Sequence, residues 1–306
     1  MPVKNVEQYF ENVSKNLLSN IELFDEILII DDSSEDDSYN LFSQWADRQN
    51  EKISIVRNTG SGLVHALNLG ISLAKHDWIA RFDADDLYPS DRLNTQRAYI
   101  DDNVAAIFSD YTINYAGKKF SVYIPSALFA HQVRLSLISS SRTPHPAVLI
   151  NKKFIALVGG YESEYFLAED LALWFKLSRV GKLVSVPVSL LHYNRNLNSL
   201  STKRQVEMKE MKETVLKNFA PQMISEVSSQ TSYVELYFQY RGVSLASSRR
   251  LLLVKDLISC SRFSQKKVQH WKKLFALIFV VLIDIRNLWG FCVLLTSKIR
   301  LILKSR

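Results

Sequence analysis

Residues 78–93, WIARFDADDLYPSDRL, pass from an apolar run straight into three crowded aspartates, Asp83, Asp85 and Asp86. A run of this kind that stops at a polar cluster reads as a buried strand with the cluster at its carboxyl end. The pattern also occurs upstream, where EILIIDD (26–32) ends in Asp31 and Asp32. ISIV (53–56) and VAAIFSDY (104–111) read as further strands, and 5–18, 36–48 and 62–75 carry apolar residues at helical spacing between them. Such alternation predicts an α/β fold built on a mostly parallel sheet flanked by helices. Sheets of this type bind ligands outside the carboxyl ends of their strands, so the two acidic clusters are expected to meet in one cleft. Downstream, AEDLALWFKLSRV (168–180) reads as a helix and LVSVPVSLLHY (183–193) as a strand. No proline follows Pro221 and only two glycines follow Gly181, which predicts a mainly helical last third.

Composition narrows the function classes. The chain has 306 residues, is 47% hydrophobic and 23% charged, and carries a net charge of +7, values of an ordinary folded protein. That charge is unevenly placed. Residues 1–240 hold 24 basic against 29 acidic side chains, whereas 241–306 hold 14 against 2. An acidic front argues against a nucleic-acid groove there, and no nucleic-acid partner is expected. Cys260 and Cys292 have no metal-like spacing, so neither a zinc site nor a disulfide framework is expected. The N-terminus lacks the apolar core of a signal peptide, and the expected location is cytoplasmic.

Three aspartates in four residues repel one another unless something relieves the charge. A divalent cation with oxygen ligands, Mg²⁺ or Mn²⁺, would do so and would also suit phosphate oxygens. The alternative is a solvated turn in which Asp91 caps a helix. Asp31 and Asp32 suit hydrogen bonds to a nucleobase and a ribose, or simple capping with Ser33 and Ser34. Glu169 and Asp170 open a helix, where the dipole favours acids. A carboxylate at that place also suits proton removal from an attacking hydroxyl.

In this order the motifs resemble the inverting GT-A nucleotide-sugar enzymes of glycosyltransferase family 2. The likeness covers residues 2–201 and rests on EILIIDDSSEDDS, the stretch from RNTGSGLVHALNLG into ARFDADDLYPSDRL, then PHPAVL, VGGY, AEDLALWFKL and SLLHYNRNLNSLS. It implies a Rossmann-like GT-A domain over 1–201, followed by a helical extension over 202–266. Asp32 would bond the nucleobase with Asp31 beside it, Asp83 would face the ribose and diphosphate, and Asp85 would ligate Mg²⁺ or Mn²⁺. Asp170 would be the catalytic base, with Glu169 on the acceptor side. The implied reaction moves a sugar from a nucleotide-sugar donor, expected to be UDP-linked, to a glycan or lipid-linked acceptor, as in polysaccharide or lipopolysaccharide biosynthesis. Arg57 and Asn58 are further candidates for touching the nucleotide. Trp174, Leu171 and His145 read as packing residues, and Gly159 and Gly160 as a turn.

The chain departs from the family pattern at two places. The opening apolar strand is missing ahead of MPVKN, and Lys4 stands where an aromatic residue is usual. Asn196 replaces a histidine near the diphosphate, and His192 reads as strand-bound. The missing strand motivates a rival reading, a catalytically weak binding or scaffold protein. A second rival, a Mg²⁺-dependent phosphotransferase of the haloacid dehalogenase type, wants Thr or Val where Leu87 stands.

Residues 267–306 are the most apolar part and also basic. Leu274, Ile278, Val281, Ile285, Leu288, Cys292, Leu295, Ile299 and Ile302 fall on one helix face. A spanning helix needs roughly 20 apolar residues. Asp284 and Arg286 interrupt the run, each costing about 2.5–3.5 kcal/mol at a bilayer centre. The expected state is an amphipathic helix lying on an anionic membrane surface at the inner face of the cell membrane.

Overall fold

Ile27–Ile30 is apolar on both faces, and a strand of that kind is stable when helices cover both sides. The computed structural model describes residues 1–48, 52–115, 117–122, 130–139, 143–194 and 200–230. In chain order the elements are β1 (Pro2–Val3), α1 (Phe10–Leu18), β2 (Ile27–Asp31), α2 (Ser38–Arg48), β3 (Ile53–Arg57), α3 (Leu63–Leu73), β4 (Trp78–Ala80) and α4 (Arg92–Arg97). There follow β5 (Val104–Tyr115), β6 (Lys118–Val122), α5 (Ala130–Ser139), β7 (Leu149–Asn151), α6 (Lys152–Val158), α7 (Glu169–Val180), β8 (Lys182–Asn194), α8 (Leu200–Lys203) and α9 (Gln205–Gln230). The strands and helices read from periodicity are all present, with ends displaced by a few residues.

The strands form a parallel sheet in the order β1-β2-β3 and a mixed sheet in the order β4-β7-β5-β6, with β8 parallel to β5. Where the opening strand was expected to be missing, a short strand is present. Pro2 and Val3 pair in parallel with Ile30 and Asp31. The Met1 ammonium donates to Leu28 O at 2.7 Å. Burial, and then the nearby Arg81 charge, pushes that amine down to about 5.

Between β2 and β4 the sheet is open. All five residues of β2 pair with β3, but only its last two pair with β1, and β4 pairs with β7. A cavity of about 360 Å³ fills the gap, lined by Leu28, Ile30, Ala66, Gly70, Ile79 and Leu149 among others.

α7 anchors the second half. Leu171, Leu173, Trp174, Phe175 and Leu177 are all at most 1% exposed, each contributing about 1.5–3 kcal/mol on burial. Trp174 meets Phe108 of β5 edge-on at 5.0 Å, and Phe175 stacks on Phe219 of α9 at 5.7 Å. Glu226 of α9 joins Arg134 of α5 at 2.7 Å and Arg179 of α7 at 3.5 Å. The expected extension is therefore helical over Gln205–Gln230 and packed on the sheet domain. Residues 231–266, the basic tail 267–306, Asn196 and both cysteines lie outside the described residues. Among the described residues no helix is long and apolar enough to cross a membrane.

The gap makes a stability prediction. Four or five apolar residues joined ahead of Met1 would continue β1, fill the cavity and replace a desolvated amine by a peptide bond. Thermal unfolding is expected to shift upward by roughly 5 °C or more. An equal number of Gly/Ser residues is expected to give no gain; equal melting temperatures for both extensions would contradict this reading of the cavity.

Candidate active site

At the end of β2 the chain turns sharply, with Ser33 at φ 58°. Asp31 is 0% exposed; its Oδ2 lies 3.3 Å from Ser34 N and 3.7 Å from Arg57 Nη1. Arg57 itself stacks over Tyr39 at 3.7 Å. Asp32 Oδ1 accepts from Asn58 Nδ2 at 2.7 Å and from Gly62 N at 2.9 Å, while Oδ2 faces Lys4 Nζ at 3.8 Å. Gly62 has φ 85°, a conformation that side chains strain. Asn58 Oδ1 in turn bonds Gly60 N and His65 Nδ1. Asn58 and Arg57, read from sequence as contacts of a nucleotide, thus hold Asp32 and Asp31.

The simple capping readings fail. Asp36, not Ser33 or Ser34, accepts from Ser38 N at the start of α2, at 3.1 Å. Ser34 Oγ instead accepts from Asn5 N at 3.0 Å. Asp91 sits at the N-cap of α4 but makes no side-chain cap bond.

The D-A-D-D turn follows β4. Arg81, 8% exposed, forms an ion pair with Asp83 Oδ1 and donates to Phe82 O. Asp83 N donates to Tyr88 Oη at 2.7 Å. Asp86 Oδ1 accepts from Asn194 N at 2.9 Å, and Asn194 Nδ2 donates to Asp85 O at 2.9 Å. Leu87 and His192 exchange backbone bonds of 3.2 and 2.9 Å. The turn is thereby stitched to the end of β8, and His192 is strand-bound as read from sequence. Burial first, then the charges of Asp83 and Asp85, push Asp86 up to about 9. The crowding is therefore relieved partly within the protein: Asp83 has Arg81, and Asp86 is held in its neutral form.

Leu167, at φ 78°, turns the chain into α7 so that Glu169 and Asp170 open the helix. Glu169 is buried, and its Oε2 has no partner among the described residues. Burial, then the charge of Asp170, pushes it up to about 7. Asp170 is half-buried. Burial raises it too, opposed by Lys212 of α9 and by the Leu171 amide at 2.7 Å. Asp170 therefore ionises more readily, and Glu169 keeps its proton longer.

Tyr161 shows which groups come together. Burial raises its hydroxyl, Arg81 opposes this, and Asp170, Glu169 and Asp83 all add to it. Charges from the β4 turn and from α7 therefore both act on this phenol. Asn68 grips Tyr161 by both main-chain groups, at 2.8 and 2.9 Å. A Cβ on Gly160 would lie 2.7 Å from Asn68 Oδ1, so only glycine permits this grip. Tyr161 Oη bonds His145 Nε2 at 2.7 Å, and burial holds His145 neutral. Asp31 pairs with Val3 of β1 and Asp32 N donates to Val3 O at 2.8 Å, while the amine of Met1, just ahead of β1, feels the charges of both Arg81 and Asp83. Sequence reasoning missed Arg81 and Tyr161; their only signals were adjacency to D-A-D-D and to the glycine pair.

Comparison with known proteins gives this geometry a context. The sequence model of Glycosyl transferase family 2 matches residues 1–154, half of the 306. The chain belongs to glycosyl transferase family 2. An Escherichia coli UDP-Gal:alpha-D-GlcNAc-diphosphoundecaprenol beta-1,3-galactosyltransferase is 29% identical over 185 residues, 57% of this chain and 64% of that enzyme. The putative glycosyltransferase EpsE of Bacillus subtilis is 31% identical over 194 residues, 59% of this chain and 66% of its own length. The chain thus spans a little under two thirds of the E. coli relative. Two solved structures share the fold. S. aureus TarS with UDP-GlcNAc has a TM-score of 0.54 at 12% identity, covering 92% of this chain and 78% of that one. The Pyrobaculum calidifontis mannosyltransferase PcManGT, solved with GDP-Man and Mn²⁺, has 0.51 at 14%, covering 99% and 79%. The family 2 chain has a GT-A, Rossmann-like fold.

The residues fit a hard divalent cation. Their donors are carboxylate oxygens, and Asp86 Oδ2 is buried without a partner among the described residues. No three ligating side chains converge among those residues. An ion here would be held by one or two carboxylates and would take its other ligands from phosphate and water, as Mg²⁺ commonly does.

In this family 2 chain Asn58→Leu removes a donor from a buried carboxylate. Unfolding in urea is expected to show a loss of about 1–3 kcal/mol; a change within experimental scatter would mean that Asn58 does not support Asp32.

Proposed function

We propose that this glycosyltransferase moves a sugar from a UDP-linked donor to a hydroxyl of a glycan or lipid-linked acceptor, inverting the anomeric carbon. What supports this reading is that the charges of Asp83, Glu169 and Asp170 all act on the Tyr161 hydroxyl, and that Asp83 pairs with Arg81, close to it in sequence. Asp32, with Asp31 beside it, takes the nucleobase; Asp83 faces the ribose and diphosphate. Asp85 is the protein ligand for Mg²⁺ or Mn²⁺, which when bound supplies positive charge to the leaving diphosphate. Asp170 removes the acceptor proton; burial raises it, while the charge of Lys212 and the Leu171 amide favour its ionised form. Glu169 lies on the acceptor side and holds the pair's remaining proton. One positioned base is sufficient for a single in-line displacement, whereas a glycosidase uses two carboxylates across the bond.

The E. coli relative's name describes UDP-Gal and a diphosphoundecaprenol acceptor, and AmsE of Erwinia amylovora, 23% identical, is named for amylovoran biosynthesis. These support a lipid-linked acceptor and a place in cell-surface polysaccharide or lipopolysaccharide assembly. The basic, apolar sequence of 267–306 supports work at the inner face of the membrane, on an anionic surface. The open sheet favours one second reading, a catalytically weak binding protein of the same assembly.

A donor panel followed by nucleotide release decides between them. Release is expected from a UDP-sugar, with loss on chelation. Asp85→Ala and Asp170→Asn are each expected to reduce it by about 10²–10⁴-fold. Release equal to wild type in both variants would remove the proposed roles, and no turnover with any donor would favour the binding protein.

The pair also sets a pH dependence. Because Asp170 must be ionised and burial raises it, kcat/KM is expected to fall along an acid limb that lies above the ordinary carboxylate range. In Asp170→Asn the neighbouring negative charge is gone, so the Glu169 carboxyl, followed by carbon-13 NMR, is expected to titrate below the wild-type value of about 7. A Glu169 midpoint that stays in place would exclude the pair.

A further inference from the structure

β5 runs on past its buried half and turns back into β6, with Gly117 at φ 75° between them. The register sets Ile113 opposite Phe120 and Tyr115 opposite Lys118, while Asn114 stands opposite Lys119. Directly opposed residues share a face, so Ile113, Tyr115, Lys118 and Phe120 lie on one side of the hairpin. Phe120 is 52% exposed and Tyr115 42%, and both lysines are exposed. Among the described strands β6 is an edge. From Tyr111 to Tyr161 the sequence holds six basic residues and no Asp or Glu.

Lysine on an edge strand is a common guard against pairing with another chain. A guard of that kind does not call for exposed aromatic rings beside it, and large apolar side chains gathered at the surface mark a contact site instead. Rings and cations at one tip, in a stretch without acids, fit a bilayer, whose interface takes aromatic rings and whose anionic headgroups take lysines. The hairpin is also tied to the D-A-D-D turn. Asn114 Nδ2 donates to Asn194 Oδ1 at 3.3 Å, and Asn194 Nδ2 donates to Asp85 O at 2.9 Å.

We infer that the β5–β6 hairpin docks the sheet domain on an anionic lipid surface, with Tyr115 and Phe120 in the interface and Lys118 and Lys119 on the headgroups. This contact is separate from the one read from residues 267–306. It rests on the membrane part of the function proposed above and not on the transfer chemistry. Asn114 and Asn194 then hold the D-A-D-D turn near the surface at which a lipid-linked acceptor is presented.

Spin labels on the full chain locate the hairpin directly. The background carries Cys260→Ala and Cys292→Ala, and a single label is introduced by Phe120→Cys or by Leu157→Cys. Leu157 of α6 is likewise apolar and 64% exposed, but α6 follows β7, which pairs with the opposite end of β5. On vesicles containing phosphatidylglycerol, the label at 120 is expected to gain contact with oxygen and to lose contact with a water-soluble nickel chelate. The label at 157 is expected to stay as it was. Lys118→Gln combined with Lys119→Gln is expected to lower partitioning onto these vesicles by about fivefold per lysine, and to leave partitioning onto pure phosphatidylcholine unchanged.

A label at 120 that behaves like the one at 157, in protein that pellets with the vesicles, overturns the hairpin contact and leaves the membrane reading standing. A lysine variant that partitions like the wild type does the same. Protein that binds no vesicle refutes the membrane reading and the hairpin contact with it. Without vesicles, broadening of the 120 signal as protein concentration rises would show two copies paired through β6, and would also overturn the lipid contact. If Phe120→Cys does not fold, the lysine variant decides alone.

Discussion

Three aspartates within four residues cannot share a turn as unrelieved anions, and a guanidinium cannot sit buried without an acid beside it. Arg81 and Asp83 answer each other's requirement, and the surrounding site follows from that pair. With Asp83 compensated, Asp86 can lie under the turn as a neutral acceptor for Asn194, and Asp85 can remain at the half-buried rim.

The fold supplies the distances this electrostatics needs. β4 carries Arg81 to the carboxyl edge, and β8 holds the following turn through Asn194 and His192. α7 is sealed against β5 and α9 by Trp174 and Phe175, so its first turn has little freedom. The transfer proposed here needs a rigid base and a rigid diphosphate platform, and the residues proposed for both stand on or beside well-packed elements. Binding sites at the ends of strands in an open α/β sheet follow the same logic.

Much of this was legible beforehand. Ile27–Ile30 and Val104–Phe108 are apolar on both faces, and Leu171–Leu177 repeats at helical spacing, so strands and helix could be read without coordinates. The acidic residues were legible because carboxylates at strand ends are unusual. What escaped was chemistry carried by residues with ordinary alternative roles. Arg81 reads as a strand-flanking cation, and Tyr161 as an aromatic after a turn; only the fold places them among the acids. Asp36 took the cap assigned to Ser33 and Ser34 because the turn at Ser33 points those side chains elsewhere. The opening strand escaped because two residues carry too little periodicity to register, though their ladder to β2 is clear.

The central claim is that the D-A-D-D turn and the first turn of α7 serve one bound substrate. Paramagnetic broadening of assigned carboxyl signals by Mn²⁺, with and without UDP, tests it most directly. If the claim holds, Mn²⁺ with UDP broadens Asp83 and Asp85 strongly and Glu169 and Asp170 measurably, and leaves distant carboxylates such as Glu11 sharp. Broadening confined to the turn, with the α7 signals as sharp as Glu11, would contradict it.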